Sequence, residues 1–147
     1  MNIRAATVAD IPAIIAIEQA ATGASHWSAE KYKEIFTGAE RVRTALIVED
    51  NSIVNGFLVA RTIGVEWEIE NIAVAADLQR GGLGSNLLHE FVTLARQEKV
   101  RVILLETRES NWAARGLYAK FSFEECGVRK DYYRNPDDRA VMYRLYL

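Results

Sequence analysis

The sequence has few of the residues that stabilise proteins in oxidising compartments or inside membranes. It contains one cysteine, Cys126, and two prolines in 147 residues. A single cysteine cannot form an intramolecular disulfide bond, so nothing indicates an oxidising compartment. No stretch approaches the roughly 18 consecutive apolar residues that a membrane-spanning helix needs, and no linker or repeat is visible. We therefore expect one soluble, cytoplasmic domain over residues 1–147 with no membrane partner.

Neither sign of charge is in large excess. The chain has 18 lysines and arginines against 20 aspartates and glutamates, for a formal net charge of −2. Domains that bind nucleic acid are usually strongly basic, so we expect no nucleic-acid partner. Hydrophobic residues make up 50% of the chain, which at this length is enough to bury a core without a metal or a disulfide.

Hydrophobic periodicity predicts a mixed order of elements: strand, two helices, three strands, a glycine-rich loop, then helix, strand, helix and two strands. The strands are predicted at 2–6, 42–49, 53–63, 65–75, 101–107, 123–128 and 140–147. Ser28 is predicted to cap the second helix, and Ser110 or Asn111 to open the last one. This order favours an α/β or α+β domain with a mostly antiparallel sheet and one parallel β-loop-α-β step in the middle.

The strand at 65–75 carries three carboxylates with a two-residue period. Strict alternation predicts one face composed of Glu66, Glu68, Glu70, Ile72 and Val74. The same alternation predicts an opposite face composed of Trp67, Ile69, Asn71 and Ala73. The acidic face would attract a cationic amine.

A glycine-rich loop, Gly81-Gly82-Leu83-Gly84, lies between this strand and an amphipathic helix. Glycines allow backbone N–H groups to approach a ligand, and the helix N-terminus adds partial positive charge. Arg80 adds a cation beside the loop. The loop therefore indicates a pyrophosphate site, although a glycine cluster alone also suits a tight turn. It is not a Walker loop, which would end in Gly-Lys-Ser/Thr.

The loop resembles a known family. The sequence Gln79-Arg-Gly-Gly-Leu-Gly84 is similar to the Gln/Arg-x-x-Gly-x-Gly/Ala pyrophosphate loop of the GNAT acetyltransferases. Further segments resemble the RimI-type ribosomal-protein-alanine N-acetyltransferases: Glu68–Val74, Leu105–Asn111, Leu117–Tyr118, Arg129–Tyr133, and His26-Trp27-Ser28 in place of Pro-Trp-Ser. The chain departs from the family at Phe121-Ser-Phe123, where Leu-Gly-Phe is usual. Without this glycine, the C-cap geometry of the preceding helix is open from the sequence.

The resemblance implies a GNAT fold, with a central, mostly antiparallel, twisted sheet of about six to seven strands and helices on both faces. It also implies acetyl transfer from acetyl-CoA to a protein N-terminal α-amine, that of the N-terminal alanine of small-subunit ribosomal protein eighteen, by a monomer or weak homodimer without a metal. The implied coenzyme-binding residues are Ile72, Ala73, Val74, Gln79, Arg80, Gly81, Gly82, Leu83, Gly84, Ser85 and Asn111. For Asn111, a helix cap is an equally good interpretation.

Acetyl transfer to an amine needs a base for the ammonium and an acid for the departing thiolate. Glu106 is the predicted base, because its same-face neighbours Val102 and Leu104 are apolar and partial burial raises the pKa of a carboxyl. Tyr118 is the predicted acid. The resemblance assigns both residues these roles, and Glu68 is kept as a reserve base because other GNAT enzymes use a carboxylate on this strand.

Two alternatives remain open from the sequence. The same chemistry could act on a lysine or on a small-molecule amine or polyamine. A function of another class, a non-catalytic acetyl-CoA-binding interaction module, would keep the coenzyme site without turnover.

Overall fold

A computed structural model describes residues 1–21, 27–38, 42–79, 81–134 and 136–147. The strands are β1 Asn2–Ala5, β2 Arg43–Asp50, β3 Ile53–Arg61, β4 Glu66–Val74, β5 Val102–Arg108, β6 Glu124–Tyr133 and β7 Asp138–Tyr146. The α-helices are α1 Ile11–Ala20, α2 Ala29–Thr37, α3 Leu83–Gln97 and α4 Trp112–Lys120. The predicted order of elements is confirmed. None of the helices in the described ranges is both long and apolar enough to cross a membrane.

The seven strands form one sheet in the order β1-β2-β3-β4-β5-β7-β6. Every neighbouring pair is antiparallel except β4 and β5, which are parallel. The parallel pair is the predicted β-loop-α-β step, in which α3 makes the crossover. Pairing of β4 with β5 runs from Glu66–Val102 to Ile69–Leu105, whereas both strands continue further. The two strands therefore diverge at their carboxyl ends and leave an opening in the middle of the sheet.

Helices cover both faces of the sheet, as predicted. On one face α1 and α2 pack against β2, β3 and β4 around Ile14, Tyr32 and Phe57. On the other face α3 and α4 pack against the sheet around Leu88, Phe91 and a set of strand residues. The opening between β4 and β5 thus lies between two separate hydrophobic cores, which hold its walls in place.

The predicted faces of β4 are wrong beyond Ile69. A β-bulge shifts the register, so that Val59 pairs with Asn71 and Ala60 pairs with Ile69. Glu70 is the extra residue, and an extra residue reverses the alternation of every side chain that follows it. Trp67 and Ile69 consequently pack on the α3 face, whereas Ala73 packs on the α1 face. The residues that share the α1 face with Glu68 are Asn71 and Ala73, and not Ile72 and Val74.

The helix ends follow local sequence signals. The Ser28 hydroxyl accepts a hydrogen bond from the Lys31 amide and caps α2 as predicted. Just after the C-terminal end of α4, Ser122 adopts a φ of 70°. This left-handed conformation is the one that the missing family glycine would supply. The helix end keeps its geometry with a serine, at a cost in backbone strain.

Candidate active site

A cleft of about 720 Å³ opens where β4 leaves β5, between the N-terminus of α3 and the length of α4. It collects most of the residues predicted to bind a coenzyme: Ile72, Ala73, Val74, Gln79, Gly82, Leu83, Gly84, Ser85 and Asn111. Gly81 adjoins the cleft in sequence but is not among its lining residues. Arg80 lies outside the described residues.

The α3 end of the cleft has the features of an anion site. Gly82 precedes the helix with a φ of 84°, a left-handed conformation that side-chain-bearing residues rarely adopt. It allows the chain to turn directly into α3, so that the first turn, Leu83 to Ser85, lines the cleft. The amide groups of a first helical turn have no partners within the helix and carry partial positive charge. This end of the cleft can therefore accept a pyrophosphate.

A smaller pocket of about 50 Å³ continues the cleft into the opening of the sheet. The two spaces share Ile72, Asn111, Ala114 and Tyr118. The small pocket is also lined by Ile69, Glu70, Asn71, Leu105, Glu106, Thr107 and Tyr133. The predicted base and the predicted acid therefore lie on one pocket, at the inner end of the predicted coenzyme site.

Glu106 is partly buried, as expected from its neighbours on β5, with 19% of its side chain exposed. Its Oε1 lies 3.1 Å from Nη2 of Arg129 on β6. The sequence did not predict this ion pair, because the two residues belong to strands separated by β7 in the sheet. This ion pair joins β5 to β6 beside the small pocket, of which Glu106 is a lining residue.

Tyr118 is buried, with an exposed fraction of 3%. Its ring packs between Phe123 and Tyr143, with centroids 5.8 and 5.6 Å away. Burial raises the pKa of its hydroxyl well above the ordinary value of 10. Tyr118 therefore keeps its proton throughout the neutral and mildly alkaline range, as a proton donor must.

The carboxylates of β4 are unequal. Glu70 forms an ion pair with Arg43, with Oε1 2.7 Å from Nε. No ion pair involves Glu68 among the described residues. Its pKa is raised, first because the carboxyl is partly removed from water and then because the carboxylates of Glu70 and Glu106 repel its charged form. Glu68 thus lies near Glu70 and Glu106, although it is not itself a lining residue of the small pocket.

Asn111 caps α4 and also lines the cleft. Its Oδ1 accepts a hydrogen bond from the Ala114 amide at 3.2 Å and caps α4. The same residue lines both the cleft and the small pocket. Both sequence interpretations of Asn111 are therefore compatible with its position.

Sequence reasoning missed several residues of the site. The outer wall of the cleft includes Ala21, Leu78, Trp112, Ala113 and Leu117, and Tyr133 closes the small pocket. Burial, and next the Glu106 carboxylate, raise the pKa of Tyr133 to about 12. Only the family motifs containing Leu117 and Tyr133 signalled any of these positions. In the part of the chain that the structure describes, no group of three or more His, Cys, Asp or Glu side chains could hold a metal ion.

Comparison with known proteins identifies the family of the chain. The sequence profile of the acetyltransferase (GNAT) family matches residues 11–123. The chain is 36% identical to the [ribosomal protein bS18]-alanine N-acetyltransferase of Haemophilus influenzae over 111 residues, 74% of this chain and 75% of that protein. It is 33% identical to the Escherichia coli protein of the same name over 130 residues, 88% of this chain and 85% of that protein.

Solved structures show the same likeness. The crystal structure of the ribosomal-protein-S18-alanine N-acetyltransferase from Escherichia coli superimposes with a TM-score of 0.88 at 28% identity. The superposition covers 99% of this chain and 92% of that one. The family profile matches most of the chain, and the fold, with its seven-stranded sheet, superimposes on that crystal structure. The chain therefore belongs to the GNAT family and is an N-acetyltransferase.

Proposed function

We propose that residues 1–147 form one domain that transfers acetyl from acetyl-CoA to a protein N-terminal α-amine. The acceptor that we propose is the N-terminal alanine of small-subunit ribosomal protein eighteen, which relatives at 36% and 33% identity carry in their names. One observation supports the reaction most directly. The large cleft, which includes the N-terminus of α3, shares four lining residues with the small pocket that Glu106 and Tyr118 line.

The cleft fits acetyl-CoA in both chemistry and shape. We propose that the pyrophosphate binds at Gly82–Ser85, where Gly82 turns the chain and the first turn of α3 offers unpaired amides. Arg80, two residues before Gly82 in the sequence, is proposed to add a cation. The Ile72–Val74 segment has no β5 partner in the register of β4, so its backbone can pair with the amides of the pantetheine arm. Asn111 adds one polar side chain between the two spaces. Acetyl-CoA, once bound, supplies the acetyl thioester that the amine attacks.

Glu106 is the proposed base. An α-amine of pKa about 8 costs only ~1.4 kcal/mol to deprotonate at pH 7, whereas a lysine of pKa about 10.4 costs ~4.6 kcal/mol. A carboxylate with 19% of its side chain exposed is sufficient for the first task. The ammonium would compete with Arg129 for the same carboxylate before giving up its proton. Glu68 remains the reserve candidate, because it lies near Glu106 and its pKa is raised.

Tyr118 is the proposed acid. The N–C bond forms and the C–S bond breaks, so the departing thiolate needs a proton. The buried hydroxyl donates to the thiolate and then transfers its proton. The ammonium loses two protons when it becomes an amide. One leaves through Glu106, and the other replaces the proton that Tyr118 gave to the thiolate. The overall reaction thus needs no other reactant.

The charges around the pocket favour a single positive group over a polyamine. Glu70 and Glu106 line the pocket and Glu68 lies near them, but Glu70 is paired with Arg43 and Glu106 with Arg129. In the described part of the chain this leaves Glu68 as the carboxylate without an ion pair. A polycation would gain less from this surface than the sequence alone indicated, whereas an N-terminal ammonium is matched in charge.

The proposal is tested with two peptides of matched composition. One has a free N-terminal alanine, and the other is blocked at its N-terminus and carries a lysine. Acetyl transfer from acetyl-CoA is measured by mass spectrometry at pH 7 and pH 9 for the wild type and for Glu106→Gln. Glu90→Gln serves as the control, because Glu90 is exposed on α3.

We expect only the free terminus to be acetylated. Glu106→Gln should lose most activity at pH 7 and recover part of it at pH 9, by up to about 10-fold, because the amine is then mostly neutral without help. An equal loss at both pH values would argue against Glu106 as the base. Transfer to the lysine alone would overturn the acceptor, and tight acetyl-CoA binding with no transfer to any amine would support the binding-module alternative.

A further inference from the structure

We propose that Trp112 is a stacking surface for the adenine ring of the coenzyme. The proposal rests on the proposed binding of acetyl-CoA in the cleft. Trp112 is the first residue of α4 and lines the cleft, yet 70% of it is exposed. Leaving so much of an indole in water forgoes the free energy of burying a large apolar surface. An exposed tryptophan at the rim of a ligand cleft is therefore a candidate contact for a flat ligand.

The indole is supported from one side. The guanidinium of Arg115 stacks over the Trp112 ring at 4.4 Å from its centroid. Arg115 is itself held by hydrogen bonds to the Tyr143 hydroxyl, the Glu109 carbonyl and the Glu125 carboxylate, at 3.0, 2.9 and 2.8 Å. A cation fixed on one face restrains the ring before a ligand arrives. Little ordering cost then remains when a second flat group stacks on it.

Exposure assigns Trp112 to the nucleotide end of the ligand. Tyr118, at the acetyl end, is 3% exposed, whereas Trp112, six positions earlier in the chain, is 70% exposed. Leu117 lies beside the first turn of α3, since a Cβ on Gly84 would be 3.4 Å from its Cδ2. Trp112 lines the cleft but not the small reaction pocket, and it is the large hydrophobic residue of α4 that is exposed on the cleft wall. The group of acetyl-CoA that lies beyond the pyrophosphate is the adenosine.

A purine is the ligand group that suits this surface. Stacking of a base on an aromatic side chain needs only a flat π-face and contributes on the order of 10-fold or more to affinity. The neighbouring polar groups of Arg115 are already occupied, so the surface offers area and no hydrogen-bond pattern. Trp112 should therefore strengthen the binding of any coenzyme that contains adenine. It should not change the binding of the acyl group or of the acceptor peptide.

The test compares two acetyl donors, acetyl-CoA and S-acetylpantetheine, which lacks the nucleotide. KM values for both donors and for the acceptor peptide are measured for wild type, Trp112→Ala and Trp112→Phe. Tyr146→Ala is the control, because Tyr146 is 64% exposed on β7 and is not a cleft residue. The Kd of CoA is measured by calorimetry in parallel, which needs no turnover.

We expect Trp112→Ala to raise the KM of acetyl-CoA and the Kd of CoA about 10-fold, with no change in kcat or in the KM of S-acetylpantetheine. Trp112→Phe should retain most of the affinity. An equal effect on both donors, a change confined to the acceptor KM, or no change at all would each overturn the proposal. If wild type itself fails to bind CoA, the proposed function fails, which is a distinct result from binding that Trp112→Ala leaves intact.

Discussion

Glu18 is the most consequential buried polar group in the described structure. It is 1% exposed and accepts three hydrogen bonds: from the Trp27 amide at 2.5 Å, the Tyr32 hydroxyl at 2.7 Å and Asn71 Nδ2 at 3.0 Å. These donors belong to the segment before α2, to α2 itself and to the bulged part of β4. One carboxylate thus joins three elements beside the small pocket.

The cost of Glu18→Ala follows from the donors that it leaves behind. Asn71 can still donate to the Tyr32 oxygen, at 2.9 Å, so the Trp27 amide and the Tyr32 hydroxyl lose their acceptor. Each unsatisfied buried donor costs about 1–3 kcal/mol. We therefore expect a loss of about 2–6 kcal/mol, a large part of the roughly 5–15 kcal/mol that stabilises a typical domain. Tyr32→Phe removes only one end of the network and should cost about 1–3 kcal/mol.

Urea unfolding followed by circular dichroism measures both losses, with Glu34→Ala as the control on the exposed side of α2. That control should stay within about 0.5 kcal/mol of wild type. The double variant Glu18→Ala/Tyr32→Phe should lose less than the sum of the single losses, because both changes remove the same hydrogen bond. A loss below about 1 kcal/mol for Glu18→Ala would refute the reasoning, since the Trp27 amide and the Tyr32 hydroxyl would then have found other acceptors.

Two further predictions concern stability. Ser122→Gly should raise the free energy of unfolding by up to about 1 kcal/mol, because glycine adopts the observed φ of 70° without strain; a decrease in thermal scans would count against strain at this position. Hydrogen bonds from Arg4 lower the pKa of Asp10 below its ordinary value of 3.8. The stability that ionised Asp10 contributes is therefore fully present above pH 3.8 and is lost as the pH falls through the lower, folded-state pKa. Asp10→Asn should cost about 1–2 kcal/mol at pH 7, and this cost should shrink as the pH is lowered below 3.8. A pH-independent difference in urea titrations would exclude this linkage.

Local signals in the sequence predicted most of the elements and one end of the site. The Ser28 side chain caps α2 by accepting a hydrogen bond from the Lys31 amide, three residues later, and Gly82 turns the chain directly into α3. Both depend on contacts within a few residues, so the sequence contains the information in readable form. The seven strands and the parallel step followed from hydrophobic periodicity in the same way.

Register and side-chain partners did not follow from the sequence. The bulge at Glu70 is visible only as the pairing of β4 with β3, and it overturned the predicted faces of Ile72 and Val74. Strict alternation assumes an uninterrupted ladder, and one extra residue reverses it. The motif residues alone could not show this shift.

The sequence by itself determined that this protein has the order of strands and helices of a GNAT acetyltransferase and that a glycine-rich loop opens its third α-helix. Only the tertiary structure decided that Arg129 pairs with Glu106, that Glu18 joins α1 to Asn71, and that Trp112 lies exposed at the rim of the cleft. The physical reason is distance along the chain. Periodicity and capping act over a few residues, whereas these contacts join groups that only the folded sheet brings together.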